Sequence, residues 1–192
     1  NKAINNLANP TNPQDGATKH YVDMRVPICP ANETLRSDGS IWTCQPYDDC
    51  TTGPVGTVCP DGAKYAGSVN GIRFYAAPQD EGTKQWSNVY VNTGATSTTD
   101  GLYNTNILMG LSDSYPAAEA CRIKGSSWYL PSISELNVIF TNRAAIGGYK
   151  MFSSYWSSSD YSHNGLTAKT QVSAGAPYSE KYRTHYVRCV RR

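Results

Sequence analysis

The chain has 192 residues, room for one sizeable domain and an appendage, and a formal net charge of +2. Its Lys and Arg residues are scattered apart from the closing "RCVRR", which argues against the clustered basic face of a nucleic-acid partner. No stretch approaches the roughly 18 apolar residues of a membrane helix, so no membrane insertion is expected.

Six cysteines, at 29, 44, 50, 59, 121 and 189, form an even set with no C-x2-C pair. That spacing suits disulfides better than zinc, and disulfides imply an oxidising compartment such as the periplasm or the cell exterior. The alternative is a set of buried free thiols in a cytosolic protein. Tyr outnumbers Phe by 14 to 3; this suits a binding surface, but strands also favour Tyr, and composition does not separate the two.

Three zones follow in chain order. Residues 1–26 open with the polar, proline-broken "NKAINNLANPTNPQ", which carries no signal peptide and reads as the start of a mature form or fragment. Asp15 can then cap a short helix with Ala17, Tyr21 and Met24 on one side. A lone helix of about ten residues is not stable in water, so it needs partners, and copies of itself are the nearest.

Residues 27–60 hold four of the cysteines. "LRSDGSIW" predicts a hairpin turning at Asp38-Gly39. Neighbour pairing gives Cys29–Cys44 across that hairpin and Cys50–Cys59 around "TTGPVGTV", although other connectivities fit the same spacing. So short a segment buries little core, and cross-links replace one. The zone reads as a disulfide-rich β neck.

Residues 61–192 form the head. "KYAGSVNGIRFYAAP" predicts a hairpin turning at Asn70-Gly71. "QWSNVYVNTGATSTTDGLYNTNILMGL" reads as loops and short strands. Two helices are expected next. Ser114 caps the first, with Pro116 in its opening turn, Ala117, Ala118 and Cys121 on its apolar face and Gly125 beyond its end. The second opens on a capping box, Ser132 with Glu135, followed by Ile133, Leu136 and Ile139 or Phe140. With four cysteines paired locally, Cys121 and Cys189 remain. Their bridge would close a loop on the order of 70 residues, contribute about 4 kcal/mol, and pin the last strand to the first helix.

Two resemblances attach to these residues. "NLANPTNPQDGATKHYVD" is similar to a segment of phage tail-fibre proteins that ends a trimeric stem before a globular tip, and some type IVb pilus-tip adhesins resemble it too. It implies a homotrimer. "WYLPSISELNVIFTNRAAIGGY", "YWSSSDYS", "VRCVRR", "GTVCPDGAKYAG" and "TGATSTTDG" resemble the blocks of a bacterial and phage branch of the C-type lectin-like fold. The fold expected is therefore α+β: a C-type lectin-like head with two helices and short antiparallel sheets, after a stem helix and a β neck. In that fold Trp128, Leu130, Tyr155 and Trp156 are structural, as large aromatics beside apolar runs usually are.

Between "YWSSS" and "VRCVRR" the chain is rich in Tyr, Ser, Asn, His and charged residues, a mixture like that of antibody paratopes. The expected ligand-binding residues are Asp160, Tyr161, His163, Asn164, Tyr178, Glu180, Tyr182, Arg183 and His185. No cofactor is expected. Calcium-binding lectins of this fold carry E-P-N or Q-P-D with W-N-D. Here "QPY" falls at Gln45–Tyr47, outside the head, and "TTDG" at 98–101 and "SDS" at 112–114 stand isolated. Enzymatic motifs are absent: no H-E-x-x-H, P-loop or G-x-S-x-G. A formylglycine-generating branch shares a related fold but needs reactive cysteines, which the expected bridge consumes.

The expectation is an extracellular, non-enzymatic tip of a trimeric fibre that recognises a polysaccharide or protein on a bacterial surface. The same head at the tip of a type IVb or conjugative pilus is the second reading. A structural trimerisation cap without ligand is the third.

Overall fold

In the computed structural model the described residues are 33–37, 42–46, 50, 52–161, 165–172 and 177–192. The expected stem helix, Cys29, the Asp38-Gly39 turn, His163 and Asn164 lie outside them. The chain divides into two compact units, Asn1–Asp48 and Asp49–Arg192.

In the first unit β1 (Glu33–Ser37) and β2 (Trp42–Pro46) form an antiparallel hairpin in which Leu35 is in register with Cys44. Cys44 is disulfide-bonded, and its expected partner is among the residues not described. The second unit takes in the Cys50–Cys59 disulfide, which sequence spacing assigns to the neck. That bridge packs against Ala63, Tyr65 and Tyr75.

Strands β3 (Lys64–Val69) and β4 (Ile72–Ala76) turn at Asn70-Gly71, where both residues have positive φ, 51° and 78°, as a type I′ turn requires. Strand β5 (Thr83–Gln85) follows. The Thr/Gly/Asn-rich stretch then departs from expectation: helix α1 spans Gly101–Met109, capped by Asp100, whose carboxylate accepts from the Tyr103 N–H at 2.9 Å. Its buried positions are Gly101, Asn104, Thr105 and Leu108. Mostly polar or bare, they leave no apolar period to read.

Helix α2 (Pro116–Arg122) buries Ala117, Ala118 and Cys121 as expected, but Ser114 is not its N-cap. Tyr115 holds that position, and Glu119 reaches back to accept from the Tyr115 N–H at 2.7 Å and the Ser114 hydroxyl at 3.0 Å. The Ser114 hydroxyl is thereby engaged as a donor to Glu119, and no side chain caps the first helical N–H groups. Strand β6 (Trp128–Tyr129) leads into α3 (Ile133–Thr141), which carries the expected capping box and buries Leu136 and Ile139; α4 (Arg143–Ile146) adds one turn. The described residues thus hold four helices rather than two.

The remaining strands are β7 (Tyr155–Tyr161), β8 (Thr167–Gln171), β9 (Tyr178–Glu180), β10 (Thr184–Tyr186) and β11 (Val190–Arg191). A four-stranded antiparallel sheet runs β3-β4-β11-β6, and a five-stranded mixed sheet runs β5-β10-β7-β8-β9 with β10 parallel to β7. The architecture is therefore mixed α and β.

The Cys121–Cys189 disulfide joins α2 to the residue before β11 across 68 positions. Around it pack Trp86, Leu108, Tyr115, Leu130, Trp156 and Val187. A second cluster, with Phe74, Tyr129, Leu136, Ile139, Tyr155 and Val190, lies around α3 and the four-stranded sheet. Leu130, Tyr155 and Trp156 are fully buried, and Trp128 partly.

The Glu135 carboxylate, also buried, ties these layers: it accepts from the N–H groups of Gly101 and Ser132, from the Ser132 hydroxyl and from the Tyr129 phenol, at 2.8–3.0 Å. A Cβ on Gly101 would lie 2.6 Å from that carboxylate, so a glycine opens α1. No helix among the described residues is long and apolar enough to cross a membrane.

Candidate recognition surface

The described residues among those expected at the site fall on β7, β9 and β10 of the five-stranded sheet and in the loop from β9 to β10. There the structure separates those that face outward from those that face inward. Tyr161 and Tyr178 stack nearly parallel, ring centroids 4.9 Å apart. Tyr182 meets Tyr90 edge to face at 6.2 Å. Glu180 accepts from the Tyr182 phenol at 2.7 Å and from Arg183 Nε at 2.8 Å. The phenol first, and the guanidinium after it, hold the Glu180 carboxyl below its ordinary range. The two charges cancel, leaving the aromatic and apolar groups to dominate the surface.

Asp160 does not belong to that surface. It is 2% exposed and paired with Lys181, which is fully buried. The Lys181 amine donates to Asp160 Oδ2 at 2.9 Å and to the Val91 carbonyl at 2.7 Å, and sits 4.6 Å from the Trp86 ring centre. Oδ1 also lies 2.9 Å from the same amine, an ionic contact. Asp160 Oδ2 also accepts from the Thr93 N–H and hydroxyl, at 3.0 and 2.8 Å. Burial lowers the Lys181 pKa, with the Asp160 contact opposing it. The sequence misleads here because "YWSSSD" looks polar, yet β7 is buried from Tyr155 to Asp160. Its serines are spent inside: Ser157 donates to the Lys169 carbonyl, Ser159 to that of Ser97, and Ser158 accepts from Asn104.

His185 is half-buried, its ring edge-on to Trp156 at 4.5 Å and Nε2 2.8 Å from the Ser179 hydroxyl. Burial, then Arg183, lowers its pKa. Tyr178, Tyr182 and Arg183 are exposed.

Three residues join this surface that sequence reasoning missed: Tyr90, Val91 and Leu166, all exposed. Gly165, at φ +68°, lets the chain press onto the Tyr90–Val91 backbone; a Cβ there would lie 3.1 Å from the Val91 carbonyl carbon. Lys181 binds the same segments from below, its N–H donating to the Leu166 carbonyl and its carbonyl accepting from Trp86 and Ser87. The short run Val89-Tyr90-Val91, flanked by Asn88 and Asn92, gives no period; the usable signal is a set of large apolar residues inside the loop "SNVYVNTG".

Chemically, this is a shallow aromatic surface on a rigid ionic support. Among the described residues no group of three His, Cys, Asp or Glu side chains is placed to hold a metal ion. No protein-family model matches the chain, and no curated protein matches it.

Proposed function

We propose that the head is a non-enzymatic recognition module, the receptor-binding tip of a trimeric fibre that contacts a bacterial surface molecule, polysaccharide or protein. The observation that carries the reading is the outward set Tyr90, Tyr178 and Tyr182 with Val91 and Leu166. Exposed tyrosines offer rigid contact area at low entropic cost, and their support is already ordered before a partner arrives. The helix-to-terminus disulfide and the mixed α and β architecture suit the C-type lectin-like resemblance. The Ser179–His185 contact has no carboxylate bonded to the other ring nitrogen among the described residues, so it lacks the orienting group of a nucleophilic triad.

Three copies joined through the stem would add weak contacts, gaining factors of roughly 10² to 10⁴ where geometry allows. The two described disulfides favour the second reading, a tip on an exported type IVb pilus, because phage fibres assemble in a reducing cytoplasm. Binding of the full chain to a panel of bacterial strains tests both. Tyr182→Ala with Arg183→Ala should abolish binding to the strains recognised; unchanged binding removes the site, and no strain recognised at all leaves the structural cap.

A further inference from the structure

A second surface, away from the tyrosines, lies on the loop after α4. Ser153 N–H donates to the Lys150 carbonyl at 3.4 Å, closing a four-residue turn. Phe152 occupies its third position with φ +65°. Glycine is the residue that adopts such a conformation freely, and a bulky aromatic there is an outlier. The ring is also 90% exposed, and Met151 beside it is exposed as well. An apolar ring is thus held out in water by a strained backbone, which persists only where the surroundings over-determine it. They do so here: the Lys150 N–H donates to the Tyr155 phenol, that phenol donates to Asp80, and Asp80 pairs with buried Arg188.

Two cations flank the tip. Lys150 is exposed and makes no ion pair among the described residues. Arg143 lies over the Phe140 ring and donates to the Phe140 carbonyl and to the Met151 sulfur. The chain from 136 to 159 contains no Asp or Glu, and both Asp80 oxygens are taken by Arg188 and Tyr155. Lys150 also lines a cavity of about 350 Å³ with Pro78, Gln79, Asp80, Gly82, Gly148 and Tyr186, in which the Asp80 charge is matched by Arg188.

We infer that this loop docks the head onto an anionic phospholipid bilayer, Phe152 and Met151 entering the interface while Lys150 receives a lipid phosphate. The occupant follows from charge complementarity: an apolar tip flanked by Lys150 and Arg143, neither ion-paired among the described residues, matches a surface that is anionic outside and apolar within. A protein pocket for Phe152 would have no need of the two flanking cations. The contact is peripheral and does not rest on the tyrosine surface.

Sedimentation of the full chain with phosphatidylcholine vesicles, and with vesicles containing phosphatidylglycerol, tests this. The chain should sediment with the anionic vesicles, less so at high salt. Lys150→Glu and Phe152→Asn should each weaken that binding about tenfold. Asn tolerates positive φ, so Phe152→Asn keeps the fold, which its melting curve checks. Equal binding to both vesicle types, or either variant binding as wild type, overturns the inference. So does inorganic phosphate protecting the Lys150 amine from acylation without vesicles, which would mark a free-phosphate site. Absence of vesicle binding overturns it as well; strain binding lost in Phe152→Asn would then assign the tip to a protein pocket.

Discussion

Lys181 and Arg188 are both fully buried cations, each paired with a carboxylate, yet they are held in different ways. Lys181 relies on Asp160 for its countercharge and on one carbonyl besides. Arg188 spreads its donors over Asp80 and the carbonyls of Ala77, Gly147 and Gly148. Arg188 also neighbours Cys189, whose disulfide fixes it covalently to α2. The support under the tyrosine surface is thus a single electrostatic pin, whereas the support under the Phe152 loop is redundant. Redundancy lets one region hold a strained residue; a single pin lets the other keep relaxed strands and still be rigid.

The largest effect should come from removing the covalent tie. Replacing Cys121 and Cys189 together by Ala should cost about 4 kcal/mol in denaturant unfolding, since the bridge closes a long loop. If the two supports are independent, amide exchange in that variant rises first in β11 and β4, beside Arg188, and later in β8 and β9. Uniform acceleration would mean the two supports are not separate.

The pins themselves come next. Asp160→Ala leaves a buried ammonium without countercharge and should cost about 3 kcal/mol. Asp80→Ala leaves Arg188 its three carbonyl acceptors and should cost about 2 kcal/mol. pH then separates them. In Asp160→Asn the folded pKa of Lys181, already lowered by burial, falls further below the unfolded value of about 10.4. Between those values the unfolded chain binds more protons, so stability rises with pH. The deficit of Asp160→Asn should therefore shrink from pH 7 to about pH 9.5, whereas that of Asp80→Asn should not, because a guanidinium stays protonated. The window must stop below about pH 10. Burial raises the pKa of Tyr129 and Tyr149, so the folded state resists their ionisation and stability falls above that point.

The same contrast explains what could be read from the chain. The Asn70-Gly71 turn, the Ser132–Glu135 capping box and the Cys121–Cys189 bridge were legible because each rests on local chemistry or on a small set of pairings. Helix α1 was not, since its buried face is Asn104 and Thr105, bonded to Ser97 and Leu130, rather than an apolar stripe. Asp160 was misplaced for a related reason: a charged residue reads as exposed until its partner, here Lys181 more than twenty residues on, is brought to it by the fold. Tyr178, Tyr182 and Arg183 are exposed, in a stretch whose sequence offers them few aliphatic partners. Tyr90 and Leu166 join them through the Tyr182 ring, the Lys181 backbone and the packing of Gly165, long-range contacts invisible to periodicity.

The smallest effects discriminate best, because they separate surface from support. Tyr182→Ala removes an exposed ring over the Lys181 pin and should change stability by less than about 0.5 kcal/mol. Phe152→Gly removes an exposed ring from a left-handed backbone position and should stabilise the head by about 1 kcal/mol. Tyr182 is 42% exposed and bonded to Glu180, so a loss in Tyr182→Ala reports those contacts, whereas Phe152, 90% exposed, has no contact whose removal could give a gain; a gain there comes from backbone conformation. Equal unfolding midpoints for the two variants would mean that the Phe152 turn stores no strain. A gain in Phe152→Gly alone would show that the redundant support around Arg188 holds the loop in a conformation its own sequence resists.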